Sequence, residues 1–307
     1  MTQHTHTLPR STWLLLAALT FGWGFNWPTM KLALAEIPVW SFRGVSVVLG
    51  AAGLFAIARI GGLALLPPRD QWGRVALTAL FNVTLWNVLI GYGLKLLPAG
   101  RSVILAYTMP LWVVLLSGLV LGEPLTRRRI AGIALGMGGM LLLIVHELGA
   151  MQAAPLGTAL VIAAALSWAV GTVLLKRFPT RMPTASFTGW QLLLGGIPIV
   201  LGALILDRGA WHPISPVAWF AVAYNVVIAF VLCYWAWYKL VGTASAGVSA
   251  IGTLLIPVVG VFSSMLVLGE RPSLAEYAAL ALVIGALATV LVPARPAPPA
   301  SPAQPRV

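Results

Sequence analysis

The chain repeats itself at an interval of 147 residues, and both copies are too apolar to fold in water. The segment AGRSVILAYTMPLWVVLLSGLVLGEP around Pro110 aligns without a gap with AGVSAIGTLLIPVVGVFSSMLVLGER around Pro257. Hydrophobic residues make up 60% of the sequence and charged residues only 8%, against roughly 25% charged in a soluble domain. A chain with this composition has no soluble surface, so its outside must face lipid.

Ten apolar segments are each long enough to cross a bilayer, for which a helix needs about 20 residues. The predicted spans are 12–34, 38–59, 74–95, 98–121, 128–146, 156–176, 184–206, 215–239, 243–267 and 274–293. Five spans fall in the first copy, 12–146, and five in the second, 156–293. Because five is odd, the second copy starts from the opposite side of the membrane. The sequence therefore predicts an all-α integral membrane protein with ten transmembrane helices in two inverted five-helix repeats, the arrangement typical of secondary transporters.

The basic residues predict the orientation of these spans. With the N-terminus inside, 13 of the 19 lysines and arginines fall on the inner side, as the positive-inside rule requires. We therefore expect a multi-pass membrane protein with two cytoplasmic tails, 1–11 and 294–307. The second tail is rich in Pro and Ala and is expected to be disordered. The same basic residues are dispersed rather than clustered, which argues against nucleic acid as a partner.

Ionisable and metal-binding groups are scarce in the predicted membrane interior. All seven Asp and Glu and all four His fall at predicted helix ends or in loops, which argues against a carboxylate proton relay. The single cysteine, Cys233, forms no disulfide framework. We expect no metal, no cofactor and no catalytic constellation. The expected partners are a small-molecule substrate and the lipid bilayer, around a chain that could act as a monomer.

Polar and aromatic side chains lie deep inside several predicted spans. Trp23, Asn26, Trp27 and Met30 share one face of the first helix. Pro110 and Pro257 stand at corresponding positions and predict helix breaks, the best sequence pointer to a transport site between two halves. The candidate substrate-binding residues are Trp23, Asn26, Asn82, Trp86, Tyr107, Trp168, Asn225 and Tyr234. Two interpretations stay open for the buried amides, namely cavity lining and hydrogen bonding between helices.

The basic residues of the predicted outer half also bear on the substrate. Lys31, Arg43, Lys95 and Arg101 lie near predicted helix ends, where their charged groups are expected to reach the interface. No basic cluster then reaches the membrane centre, and recognition of several phosphates usually needs one. A site of Trp, Tyr, Asn and backbone dipoles suits a neutral or zwitterionic solute with an apolar side chain.

The chain resembles the EamA-type members of the drug/metabolite transporter superfamily in three features. These are the duplicated five-helix unit, the proline in the fourth helix of each copy, and the Leu-Gly-Glu that ends that helix, at 121–123 and 268–270. The resemblance covers about residues 12–293. The aromatic-rich early helices are most similar to the bacterial amino-acid exporters of the YddG type. This resemblance implies export of aromatic and other neutral amino acids and similar metabolites by alternating access across a bacterial inner membrane. Given the distribution of acids, we expect no obligatory proton coupling. The alternatives are a drug or other small-metabolite exporter of the same superfamily and, with less support, a membrane-embedded enzyme.

Overall fold

The computed structural model describes residues 10–149, 154–210, 212–243 and 246–291. Over these ranges the chain is all-α, without a β-strand. The predicted tail 294–307 lies outside the described residues, as do residues 1–9 of the other tail. Arg10 and Ser11 already belong to the first helix, which therefore begins before the predicted residue 12.

The helical segments follow the predicted spans closely. In the first copy the helices are α1 (Arg10–Glu36), α2 (Val39–Ile60), α3 (Trp72–Ala79), α4 (Trp86–Leu96), α5 (Ala99–Ala106), α6 (Met109–Leu121) and α7 (Arg127–Gly149). In the second copy they are α8 (Pro155–Arg177), α9 (Thr184–Leu206), α10 (Pro216–Tyr224), α11 (Cys233–Thr243), α12 (Ala246–Leu268) and α13 (Leu274–Leu291). A short 3₁₀ turn, Arg69–Gln71, precedes α3.

Seven stretches of the described residues are long and apolar enough to cross a membrane. They are Val39–Ile60, Arg69–Leu96, Ala99–Leu121, Arg127–His146, Pro155–Arg177, Thr184–Leu206 and Pro216–Trp237. Shorter apolar stretches are Leu255–Leu268 in α12 and Leu274–Thr289 in α13. The all-α membrane fold is thus confirmed, whereas the number of ten spans stays a prediction.

The third helical segment of each copy contains a π-helical stretch that the sequence did not predict. Leu80–Leu85 joins α3 to α4, and Asn225–Leu232 joins α10 to α11. A π-helix inserts an extra residue into the turn, which shifts the side chains beyond it around the helix axis, and such stretches are frequent at functional sites. Each of these two stretches carries a buried asparagine, Asn82 and Asn225.

The two copies pack together in a reciprocal pattern. The second helices contact each other, α2 with α9, and so do the fifth helices, α7 with α13. The first helix of each copy packs on the fourth segment of the other, since α1 contacts α12 and α8 contacts α5 and α6. The first helix also packs on the third segment of the other copy, α1 on α10 and α11, and α8 on α4. Such an exchange of partners is what a two-fold relation between the copies produces.

The two prolines of the fourth segments behave differently. At Pro110 the predicted break is present, because α5 ends at Ala106 and Pro110 is the second residue of α6. In this position the missing N–H of proline has no helical partner to lose. Thr108 lies in the intervening turn and donates its hydroxyl to the carbonyl of Leu105 at 2.7 Å. At Pro257 the prediction of a break is wrong, because α12 continues through it.

The Leu-Gly-Glu repeat ends a helix in each copy. Gly122 and Gly269 both have a φ of +68°, the left-handed conformation that glycine adopts without a steric penalty. The helix therefore stops at the preceding leucine, and the glutamate that follows is free to bind a neighbouring helix. Glu123 and Glu270 use this freedom differently, as their hydrogen bonds show.

Candidate substrate site between the two copies

Four of the predicted site residues meet where α1 crosses the π-helical stretch Asn225–Leu232. Asn225 is fully buried and donates its amide to Asn26 Oδ1 at 2.8 Å. Trp23 donates its indole N–H to the carbonyl of Ala229 at 3.0 Å. Its ring also meets Tyr234 edge-on, with centroids 5.7 Å apart. The predicted polar face of α1 thus binds the π-helical stretch of the other copy.

Three further site residues meet where the other π-helical stretch crosses α8. Asn82 lies directly against Gly171, where any larger side chain would overlap its amide. The indoles of Trp86 and Trp168 have centroids 5.1 Å apart. Ser167, next to Trp168, donates its hydroxyl to the carbonyl of Phe81 at 2.8 Å. This group is the counterpart of the first, because each π-helical stretch faces the first helix of the other copy.

The two buried asparagines share an electrostatic feature. Neither Asn82 Oδ1 nor Asn225 Oδ1 has a hydrogen-bond partner among the described residues. Buried polar atoms are nearly always partnered in proteins, and an exception calls for an explanation. Each oxygen is an acceptor suited to an ammonium, amide or hydroxyl donor. The aromatic rings beside both amides offer apolar surface for the rest of a small molecule.

Tyr107 and one residue that the sequence analysis missed belong to the apolar core between these groups. Tyr107 is 8% exposed and lies in the same core cluster as Trp27 and Met30. Trp23, Trp86 and Trp112 pack against this cluster. Trp112 Nε1 is a buried donor without a partner among the described residues. Its position two residues after Pro110, on the first turn of α6, was the signal that could have identified it.

Seven of the eight predicted residues therefore fall into two contacting groups, and the eighth, Tyr107, lies in the apolar core. That they line a single cavity stays a prediction. A cavity of about 550 Å³ lies elsewhere, between the start of α1 and α11, and contains none of the eight. Its lining residues are Ser11, Thr12, Leu14, Leu15, Ala18, Trp235 and Lys239.

Arg43 contradicts the expectation that it reaches the membrane interface. It lies in the second turn of α2 and is only 2% exposed. Its Nη2 donates to the thioether sulfur of Met30 at 3.1 Å, and its guanidinium lies over the Phe42 ring, 5.1 Å from the centroid. The position near a helix end suggested exposure, but α1 and α4 pack over this turn of α2.

Carboxylates join the two copies at the end of the bundle where α1 finishes, here called the Glu36 end. Glu270 accepts from the backbone N–H groups of Ala99 and Gly100, at 2.6 and 2.9 Å, and so caps α5 rather than the helix that follows it. Asp207 accepts from the backbone and hydroxyl of Ser41 at 2.8 and 2.7 Å. Glu36 binds the backbone and hydroxyl of Ser215 in the same way.

The counterpart of Glu270 in the first copy, Glu123, makes different contacts. It accepts from Lys176 Nζ and Arg129 Nη1, both at 3.1 Å. The hydrogen bond from Lys176, followed by the charge of Lys176 and the bond and charge of Arg129, lowers the pKa of Glu123. Glu270 therefore caps a helix of the other copy, whereas Glu123 binds side chains of α7 and α8.

Among the described residues, no three His, Cys, Asp or Glu side chains come together as a group that could hold a metal ion.

Residues 10–145 and 155–292 each match the EamA-like transporter family. The chain belongs to the EamA-like transporter family. The two matches correspond to the two copies, which makes this EamA-like transporter a multi-pass membrane protein of two repeats.

Individual relatives of this EamA-like transporter cover nearly its whole length. It is 31% identical to the "Uncharacterized transporter YvbV" of Bacillus subtilis, over 92% of both chains. It is 28% identical to a "Probable amino-acid metabolite efflux pump" of Escherichia coli, over 86% of this chain and 89% of that one. A crystal structure described only as that of a protein superposes with a TM-score of 0.63 and 25% identity, over 89% of this chain and 96% of its own.

Proposed function

We propose that this EamA-like transporter exports amino acids, both aromatic and other neutral ones, and similar small metabolites across a bacterial inner membrane. The observation that carries the proposal is the pair of buried asparagines in the two π-helical stretches, each with an unpartnered acceptor oxygen and aromatic neighbours. An acceptor of this kind suits an ammonium group, and the indoles suit an apolar side chain. The efflux-pump name of the Escherichia coli relative supports the same substrate class.

The proposed topology has ten spans, with the second copy inverted and both termini cytoplasmic. Helical segments at all the predicted spans support the count, and the reciprocal packing of the copies supports a two-fold relation. The excess of basic residues on the Arg10 side supports the orientation. The Glu36 end then faces outward. In this topology, alternating access would exchange the roles of the two copies around the asparagines.

We also propose that transport requires no coupled proton. In the described part of the chain every Asp and Glu lies at a helix end or in a loop. Glu36, Asp207 and Glu270 cap helices of the other copy. A proton-driven carrier needs a titrating group that the two sides reach in turn. The substrate gradient alone would then drive export.

Purified full-length protein in liposomes tests this function directly, with labelled amino acids, sugars and cationic dyes as the panel. We expect exchange of neutral and aromatic amino acids and none of sugars. Transport of dyes but not of amino acids would instead support a drug exporter of the same superfamily. Uphill accumulation driven by an imposed pH gradient alone, and abolished by a protonophore, would contradict the absence of proton coupling.

A further inference from the structure

Arg43 is a buried cation that no anion of the described residues neutralises. It heads the fully buried side chains by size. In the part of the chain that the structure describes, no carboxylate forms an ion pair with it, and its Nε has no hydrogen-bond partner. Within the same residues its hydrogen-bond acceptor is the Met30 sulfur at 3.1 Å. A guanidinium has five N–H donors, and a thioether is a weak acceptor.

A structural role would look different, as a neighbouring lysine shows. Lys31 Nζ donates to the carbonyls of Leu94 and Leu97 at 2.6 and 2.7 Å, so it caps the end of α4. Arg43 makes no such bond to a helix end. Burying a charge without a partner is expensive. The cost is recovered if an anion binds the guanidinium during part of the transport cycle.

The position of Arg43 relates it to the candidate site. Its partner Met30 is the last member of the α1 face that also carries Trp23 and Asn26. Met30 follows Asn26 by one helical turn, about 6 Å along the axis. A Cβ added at Gly91 would lie 3.7 Å from the Arg43 Nε, so this unpartnered N–H group lies beside α4. Along α1 the candidate site therefore contains the Arg43 guanidinium, then the amides of Asn26 and Asn225, then the rings of Trp23 and Tyr234.

We propose that Arg43 binds the carboxylate of the transported substrate, so that a free carboxylate is a specificity requirement. The inference rests on the proposed function, because it adds the third contact of the same site. The asparagine oxygens then suit the ammonium group of an α-amino acid, and the guanidinium suits its carboxylate. A guanidinium matches a carboxylate through two parallel bonds. Phosphate is a poorer match, because the nearby Lys31 is already occupied by carbonyls.

The test compares compounds that share one skeleton, with the melting temperature of the purified protein as the measure of binding. The probes are L-phenylalanine, phenethylamine, which lacks the carboxylate, 3-phenylpropionate, which lacks the amine, and inorganic phosphate. The same comparison is repeated for the amino acid that liposomes exchange best, against its amide and its decarboxylated amine. The variants are Arg43→Gln and Arg43→Lys, with Arg208→Gln as a control that removes an exposed arginine of the same end.

We expect the wild type and Arg208→Gln to bind carboxylated probes at least tenfold more tightly than the amide or amine analogues, in line with a charge-assisted bond. Arg43→Gln should lose this preference, and Arg43→Lys should retain part of it. If Arg43→Gln does not fold, the ratio between analogues in the wild type and in Arg43→Lys decides the question.

Equal binding of carboxylated and decarboxylated probes by the wild type would overturn the assignment of Arg43, as would an unchanged preference in Arg43→Gln. Stronger stabilisation by phosphate than by any carboxylate would also overturn it. A protein that exchanges no amino acid but binds 3-phenylpropionate through Arg43 would refute the proposed function and leave the carboxylate site standing.

Discussion

At the scale of single residues, the candidate site contains asparagines whose hydrogen-bonding groups matter more than their hydrophobicity. Asn82 and Asn225 occupy corresponding π-helical stretches and face the first helix of the other copy. They differ in their partners, because Asn225 binds Asn26 whereas the amide of Asn82 is fitted against Gly171. Loss of Asn225 would therefore disturb packing between helices, while loss of Asn82 would mainly remove an acceptor.

Asn82→Ala is expected to reduce amino-acid exchange at least tenfold in liposomes while shifting the melting temperature little, because its Oδ1 has no partner to lose among the described residues. The matched control is Asn87→Ala, since the Asn87 amide donates to the Val83 carbonyl of its own helix at 2.8 Å. This control should retain transport and lose up to about 1 kcal/mol of stability. Equal transport by both variants would show that Asn82 only packs helices.

Glu123 should make the stability of the protein sensitive to acid. Its folded-state pKa is lowered, first by the Lys176 hydrogen bond, so its contribution is complete above the unfolded glutamate pKa of about 4.3 and is lost as the pH falls through the lowered folded value. The melting temperature of Glu123→Gln should therefore fall less steeply than that of the wild type below about pH 4.3. Parallel curves for the two proteins would contradict this account.

Single residues also show which features of the site could be predicted from the sequence and which could not. The spacing of Trp23 and Asn26 predicted a shared helical face, because a helix fixes such neighbours locally. The burial of Arg43 depends on how α1 and α4 pack over α2, which no local pattern records. The partner of Asn26 lies 199 positions along the chain, and the sequence left it open whether that amide lines a cavity or joins two helices.

At the scale of elements, the length of the apolar segments was sufficient to place most helices. The predicted span 184–206 coincides with α9, and 156–176 differs from α8 by one residue at each end. The π-helical stretches escaped prediction because a membrane-spanning segment that is apolar on all sides has no clear period to shift. The fourth segments also differ from the prediction. Both contain proline, yet only the first is broken.

Replacing each proline separates these two states of the fourth segment. Pro257→Ala should stabilise the protein by up to about 3 kcal/mol, because it restores the backbone bond that an interior proline removes. Pro110→Ala should change stability less, since Pro110 stands at the second position of α6. Melting temperatures of the two variants, compared with the wild type, measure the difference. A larger gain at Pro110 than at Pro257 would show that the break is strained.

At the scale of the whole molecule, corresponding loops of the two copies should lie on opposite sides of the membrane. The loop between α2 and α3 corresponds to the loop between α9 and α10, and both are exposed in the described structure. In a Cys233→Ala background, Ala64→Cys should react with a membrane-impermeant maleimide only after permeabilisation. Ala210→Cys should react in intact cells. Labelling of both positions from the same side would rule out the inverted arrangement.

The unequal fourth segments carry a consequence for how mutations combine. If the copies exchange roles during the cycle, the opposite state has a continuous fourth segment in the first copy and a broken one in the second. The two conformations are then nearly mirror roles of the two copies and differ little in free energy. A substitution that straightens the first copy and one that bends the second then push the equilibrium in the same direction. Making the corresponding substitution in both copies should leave the balance almost unchanged. Internal symmetry thus turns the sequence repeat into a rule for the sign of each substitution's effect on the conformational equilibrium.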